Sequence, residues 1–166
     1  MADVSQSDPA TTLCTRCGLC CDGYLHSYAV LREAEMVPAA ALGLPVLTDG
    51  RCGFALPCPK LVDRCCSIYG ERPKGCADYK CRLLNKLDTG NVMLNDALAI
   101  VDTAREMAAI YEQNRTSPTQ LGTIVAAQHK LQQMAFYLHI DKHFLNPNEN
   151  SLIMEESVTY KTEELP

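Results

Sequence analysis

Cys14-Thr15-Arg16-Cys17-Gly18-Leu19-Cys20-Cys21 concentrates four thiols in eight residues. A Cys-x-x-Cys turn carries two sulfurs to one side, where both can reach a single metal ion. The glycine after the second cysteine lets backbone N–H groups approach the sulfur. Cys20 and Cys21 add a constraint: neighbouring side chains point to opposite faces of an extended chain and about 100° apart on a helix. One tetrahedral ion rarely takes both. Two nearby metals, or one polynuclear cluster with a spare thiolate, accommodate them more easily.

The chain has ten cysteines, all between Cys14 and Cys81. Disulfides, metal ligands and buried small hydrophobes are the alternatives, and compartment separates them, since disulfides persist mainly in oxidising spaces. The opening Met1-Ala-Asp-Val-Ser-Gln-Ser-Asp8 has neither the basic nor the apolar segment of a secretory signal. No apolar run approaches the roughly 18 residues of a membrane span. The expected location is therefore cytoplasmic, with no membrane partner, and the thiols are expected to serve metal. Cys-x-x-Cys-x-x-Cys is closer to the three-ligand loop of bacterial ferredoxins than to a zinc ribbon, which tilts the metal toward iron–sulfur and leaves zinc open.

Charge follows the same asymmetry. Residues 14–82 hold nine basic and seven acidic side chains, a net +2, so within a total of −5 the remainder carries −7. The acidic total argues against nucleic acid as a partner. Basic groups beside the cysteines favour thiolates and offset the negative charge of a thiolate–metal site.

The second group of cysteines begins with Cys58-Pro-Lys-Leu61 and continues as Cys66-Ser-Ile68-Tyr69-Gly-Glu-Arg72-Pro73-Lys-Gly-Cys76 to Tyr79-Lys-Cys81. Together with the Cys-x-x-Cys-x-x-Cys-Cys start, this resembles the bacterial YkgJ family of cysteine-cluster proteins, described as zinc- or iron-chelating domains. The likeness covers residues 14–84, about two fifths of the chain. The resemblance implies eight metal ligands: Cys14, Cys17, Cys20, Cys21, Cys58, Cys66, Cys76 and Cys81, enough for two four-cysteine sites. Ile68 and Tyr69 match the linker and are expected beneath the site. Arg72 is expected to hydrogen-bond a sulfur or a carbonyl around it. Ala77 and Tyr79 stand where the family commonly has arginine and phenylalanine, which puts a role for that arginine in doubt, but not ligation. Cys52 and Cys65 are extra to the pattern and are read first as spare thiols. They and His26 are the possible additional ligands.

The chain divides into a disordered N-terminus (1–12), a cysteine-cluster region (13–88), a helical hairpin (89–146) and an acidic tail (147–166). Cys14 to Asp22 reads as a loop wrapped on metal, and Tyr24 to Val30 as an extended segment. Leu31 to Leu42 is a short helix that stops or kinks at Pro38. Val46 to Pro59 is a small hairpin or irregular loop. Pro73 starts a helix running through Ala77 to Leu87. On it Cys76 and Cys81 would point about 140° apart and serve different positions. Leu94, Ala97, Leu98, Val101, Ala104, Ala108 and Tyr111 recur at the spacing of an amphipathic helix. Ser117-Pro118-Thr119-Gln120 caps a second helix, with the stripe Leu121, Ile124, Val125, Leu131, Met134, Ala135, Leu138 and Leu145. His139 and His143, four apart, read as a polar patch favoured by the helix dipole. Leu152 to Met154 is a candidate docking segment in the tail.

The expected architecture is mainly α, with a small, irregular, metal-organised cysteine region packed against an antiparallel helical hairpin. The expected function is thiolate binding of zinc or an iron–sulfur centre in a structural, storage or delivery role, with metal ions as partners and the hairpin as the surface for a protein partner. The alternative is an iron–sulfur redox or protein-modification enzyme or accessory. A resembling cysteine segment in bacterial flagellin lysine methylases supports it by analogy. No nucleophile elbow, phosphate loop, dinucleotide fingerprint or zinc-protease helix is present, so a binding protein is favoured over an enzyme.

Overall fold

The computed structural model describes residues 8–116 and 123–148. The Ser117–Gln120 cap, Leu121 and the Leu152–Met154 segment lie outside them. The described part is mainly helical. Six helices, α1 (Pro9–Cys17), α2 (Met36–Ala41), α3 (Lys74–Asp78), α4 (Arg82–Asp88), α5 (Leu94–Thr116) and α6 (Thr123–His143), are accompanied by four short strands. These are β1 (Tyr28–Val30), β2 (Gly53–Ala55), β3 (Leu61–Val62) and β4 (Cys65–Cys66).

Helices α5 and α6 pack together. Asn114 donates to Gln132 at 2.9 Å at one end and the His139 ring lies 3.2 Å from the Ile100 carbonyl at the other, so they run antiparallel. The expected stripe of α5 is the packed one: Ala97, Val101, Ala104 and Ala108 are buried, and their small side chains let neighbouring helices approach. The expected stripe of α6 is not. Val125, Leu131, Met134 and Leu138 are 37, 66, 51 and 67 % exposed, and Phe136 and Ile140 fill the core instead. The two aromatic rings at Phe136 and Tyr137 decide this: they turn toward Tyr24 and Tyr111, burying more surface than the aliphatic face would. Leu145 is buried as expected.

The cysteine region is built on the hairpin rather than beside it. Leu13, Cys17, Leu19 and Leu25 share one buried cluster with Leu83, Val101, Phe136, Ile140 and Phe144. A second, smaller cluster contains Leu31, Ala39, Leu44 and Phe54.

Several local expectations are corrected. Residues 9–12, expected to be disordered, open α1: the Asp8 carboxylate accepts from Thr11 N at 3.2 Å and Pro9 occupies the first turn, where its missing N–H costs nothing. Cys14 and Cys17 therefore lie on a helix, and the loop begins only at Gly18. Pro38 neither stops nor kinks a helix. It is the third residue of α2, still within the first turn, where no intrahelical donor is lost. Gly53–Ala55 folds back antiparallel on Pro45–Leu47, the local hairpin expected, and also pairs with Tyr28–Val30. The helix expected from Pro73 to Leu87 is two helices, broken where Tyr79 and Cys81 are extended.

Candidate metal centre

Each cysteine segment is held by a different local device. Cys14 and Cys17 are three apart on the last turn of α1, so their side chains share a face. Gly18 ends that helix at φ +63°, donating back to Cys14 O at 3.2 Å, and starts the turn that carries Cys20 and Cys21. The β3–β4 hairpin turns on Asp63 and Arg64, both with positive φ as a two-residue turn requires. Alternation along β4 sends Cys65 and Cys66 to opposite faces. Cys58 donates its backbone N–H to Cys21 O at 2.7 Å, tying the two segments together.

Cys76 rides on α3, whose first N–H, from Lys74, meets the Glu35 carboxylate at 2.5 Å. Arg32 pairs with Asp78 at 2.7 Å at the other end of α3. Cys81 is the N-cap of α4, its sulfur accepting from Leu84 N at 3.5 Å. Arg82 N donates to Phe144 O at 2.9 Å and its guanidinium to the Asp141 and Lys142 carbonyls at 3.1 Å. The end of α6 thus fixes where Cys81 sits.

A cavity of about 480 Å³ results. Cys14, Cys17, Cys20, Cys21, Cys58, Cys66, Cys76 and Cys81 all line it, with His26, Ile68, Tyr69, Arg72 and Tyr79. Cys52 and Cys65 do not line it, and both are exposed; Cys65 Sγ lies 3.5 Å from Thr15 O. All ten cysteines are free thiols. His26 Nε2 is 2.8 Å from the Tyr79 hydroxyl, and the two rings meet edge to face. The Arg72 guanidinium stacks 3.8 Å over the Tyr69 ring, and the Tyr69 hydroxyl donates to Thr11 Oγ1 at 3.3 Å. The thiols surround the cavity without being drawn to one point. Among the described residues no group of three His, Cys, Asp or Glu side chains has a geometry that could hold a metal ion.

Burial pushes six of the thiols up, and neighbouring thiols add to the effect. Cys14 rises to about 11, by burial first and then by Cys81. Cys17 rises to about 12 by burial, with Cys81 and Cys14 adding and the Leu19 N–H and Arg105 relieving. Cys20 rises well above its ordinary value by burial, then by Cys81, Cys17, Cys21 and Cys14. Cys21 rises to about 12 by burial, then by Cys58, Cys66 and Cys76. Burial raises Cys76 to about 11, followed by Cys58 and Cys66, with Arg72 relieving. Burial also raises Cys58, with Cys66 adding to it. Arg72 also relieves Cys14, so one guanidinium acts on thiols from both ends of the cavity.

No family model, no curated protein and no solved structure matches the chain.

Arg105 is the residue that the sequence reading missed. Its side chain is 14 % exposed and is ion-paired through Nη1 to Asp22. Its Nε and Nη2 are buried and have no hydrogen-bond partner among the described residues. A Cβ at Gly18 would stand 2.6 Å from Nη2, so the guanidinium lies directly behind the turn after Cys17. Two orphaned donors cost about 1–3 kcal/mol each. Thiolate sulfurs would accept from both, so the chemistry of the donor set and its surroundings, rather than its present geometry, suits a metal. The available signal was position: Arg105 lies four residues after buried Val101 on an apolar face, an odd place for a solvated arginine.

Proposed function

We propose that this chain is a metal-binding protein that takes zinc or an iron–sulfur centre through the thiolates of Cys14, Cys17, Cys20, Cys21, Cys58, Cys66, Cys76 and Cys81. The role is structural, storage or delivery. The observation that carries it is selection: one cavity is lined by eight of the ten cysteines, drawn from residues 14–21, 58–66 and 76–81. Thiols that serve only as small hydrophobes have no reason to converge from such distant stretches. The resemblance to the YkgJ cysteine-cluster proteins supports the same reading on the same eight residues, as do the orphaned donors of Arg105.

Bound metal would supply a rigid crosslink between segments that have little apolar core of their own, a contribution of about 10–16 kcal/mol in small zinc domains. The protein's part is to hold eight sulfurs around one cavity and to place Arg72 and Arg105 where they offset thiolate charge. The uptake of metal requires thiols in the reduced state, which matches a cytoplasmic location. Among the described residues no helix is long and apolar enough to cross a membrane.

Elemental analysis of anaerobically purified protein tests the proposal. The expected result is zinc, or iron with acid-labile sulfide, and a parallel loss of metal and protease resistance in Cys17→Ser. A natively folded, metal-free preparation with these sulfurs reactive or disulfide-paired would overturn it.

A further inference from the structure

The cavity has two ends, and its eight sulfurs divide between them. Cys14, Cys17, Cys20 and Cys81 all belong to the larger core, the first three from α1 and its following turn and the last from the start of α4. Cys58 and Cys76 pack on the other core, around Leu31 and Phe54. Two backbone links add the remaining pair to this second end: Cys58 N–H to Cys21 O at 2.7 Å, and Leu61 N–H to Cys58 O at 3.1 Å, with Leu61 the strand partner of Cys66. Packing and backbone connectivity thus assign every one of the eight.

We propose that the protein has two separate four-cysteine centres, Cys14–Cys17–Cys20–Cys81 and Cys21–Cys58–Cys66–Cys76, each taking one soft, thiolate-seeking cation and linked through the Cys20–Cys21 peptide. This division rests on the thiolate reading above. Adjacent residues are divided because their side chains diverge, and a single tetrahedral ion rarely takes both. The centres differ in setting. The first is built into the hairpin core with Arg105 behind it; the second is held by short elements, the β3–β4 hairpin and α3, and lies farther from that core. Four thiolates around each ion match the closed tetrahedral sites of zinc, which cobalt(II) reports by its intense thiolate charge-transfer and d–d bands.

Cobalt(II) titration under anaerobic conditions, read by absorbance and native mass spectrometry on the full chain, tests the division. Wild type is expected to take two cobalt ions per chain with tetrathiolate spectra. Cys81→Ser and Cys76→Ser are each expected to retain one tetrathiolate ion. The decisive comparison is between double variants. Cys17→Ser/Cys81→Ser, within one centre, retains one ion; Cys76→Ser/Cys81→Ser, across centres, retains none in tetrathiolate form. A within-centre double that loses both ions while circular dichroism shows its helices intact, or an across-centre double that keeps one tetrathiolate ion, would overturn the division. Wild type alone also decides: one tetrathiolate ion per chain sinks the division and leaves thiolate binding standing, whereas no cobalt uptake sinks both.

Discussion

Gly75→Ala is a small substitution with a large expected consequence. Gly75 is the second residue of α3, and a Cβ built on it would stand 2.0 Å from the Val30 carbonyl oxygen of β1. Real Cβ contacts do not fall below 3.0 Å, so α3 and β1 must part by about 1 Å before the methyl fits. Helix propensity acts the other way, favouring alanine by up to about 1 kcal/mol. Overpacking costs about 1–3 kcal/mol, and here the upper end applies because the obstacle is backbone that cannot rotate aside. The net expectation is a loss of about 2 kcal/mol, or roughly 6 °C in Tm for a domain of this size. The neighbouring Cys76 moves with α3. A displacement of that size moves a ligand of the proposed second centre, whose metal–ligand distances would tolerate only about 0.2 Å. Thermal denaturation of the metal-free protein should therefore show the destabilisation, and cobalt titration should show one ion bound in place of two. A variant as stable as wild type with its full metal complement would refute the reasoning, because the close approach of α3 to β1 would then not position Cys76.

Further outcomes are expected. Replacing Arg105→Met together with Asp22→Asn removes an ion pair and two orphaned donors at once, so the metal-free fold should change by less than about 1 kcal/mol. Metal affinity in chelator competition should fall roughly 10–100-fold; equal affinities would show that Arg105 does not support the bound state. The thiols raised by burial, Cys14, Cys17, Cys20, Cys21, Cys58 and Cys76, make uptake proton-coupled: binding displaces their protons, and affinity should climb steeply between about pH 6.5 and 7.5. The same shifts favour the protonated, metal-free fold. Its stability should hold below the ordinary thiol value of 9.0 and decline as pH rises toward 11–12, measurable by denaturant titration at pH 7, 9 and 10.5. Finally, Cys52→Ser/Cys65→Ser should leave metal content unchanged and stability within about 0.5 kcal/mol, since both side chains are exposed and outside the cavity; loss of an ion would return one of them to the ligand set.

Local signals were readable where one residue type forces one geometry. The seven-residue apolar series of α5 needs no partner to be recognised, since only a helix brings those positions to one side. Asp8-Pro9 was an equally good start signal for α1, but the polar composition around it pointed to disorder. Pro38 shows the limit of reading a breaker without its place in the helix: proline is harmful in an interior and neutral in a first turn. The α6 stripe failed for a different reason. Two faces of that helix are apolar, and choosing between Leu131, Met134 and Leu138 on one and Phe136 and Ile140 on the other depends on what lies opposite, which is Tyr24 and Tyr111.

Ten thiols at their particular spacings, the divergence of Cys20 from Cys21, and the confinement of every cysteine to the first half of the chain were all determined by the sequence, because each follows from covalent geometry or position along one segment. Which sulfurs are neighbours was decided only by tertiary structure. Cys81 reaches α1 because Arg82 docks on the end of α6, Cys76 reaches Cys58 because a glycine lets α3 touch β1, and Arg105 stands behind Cys17 because α5 crosses α1. Contacts of that kind join residues far apart in the chain through packing, and no local rule of spacing encodes them.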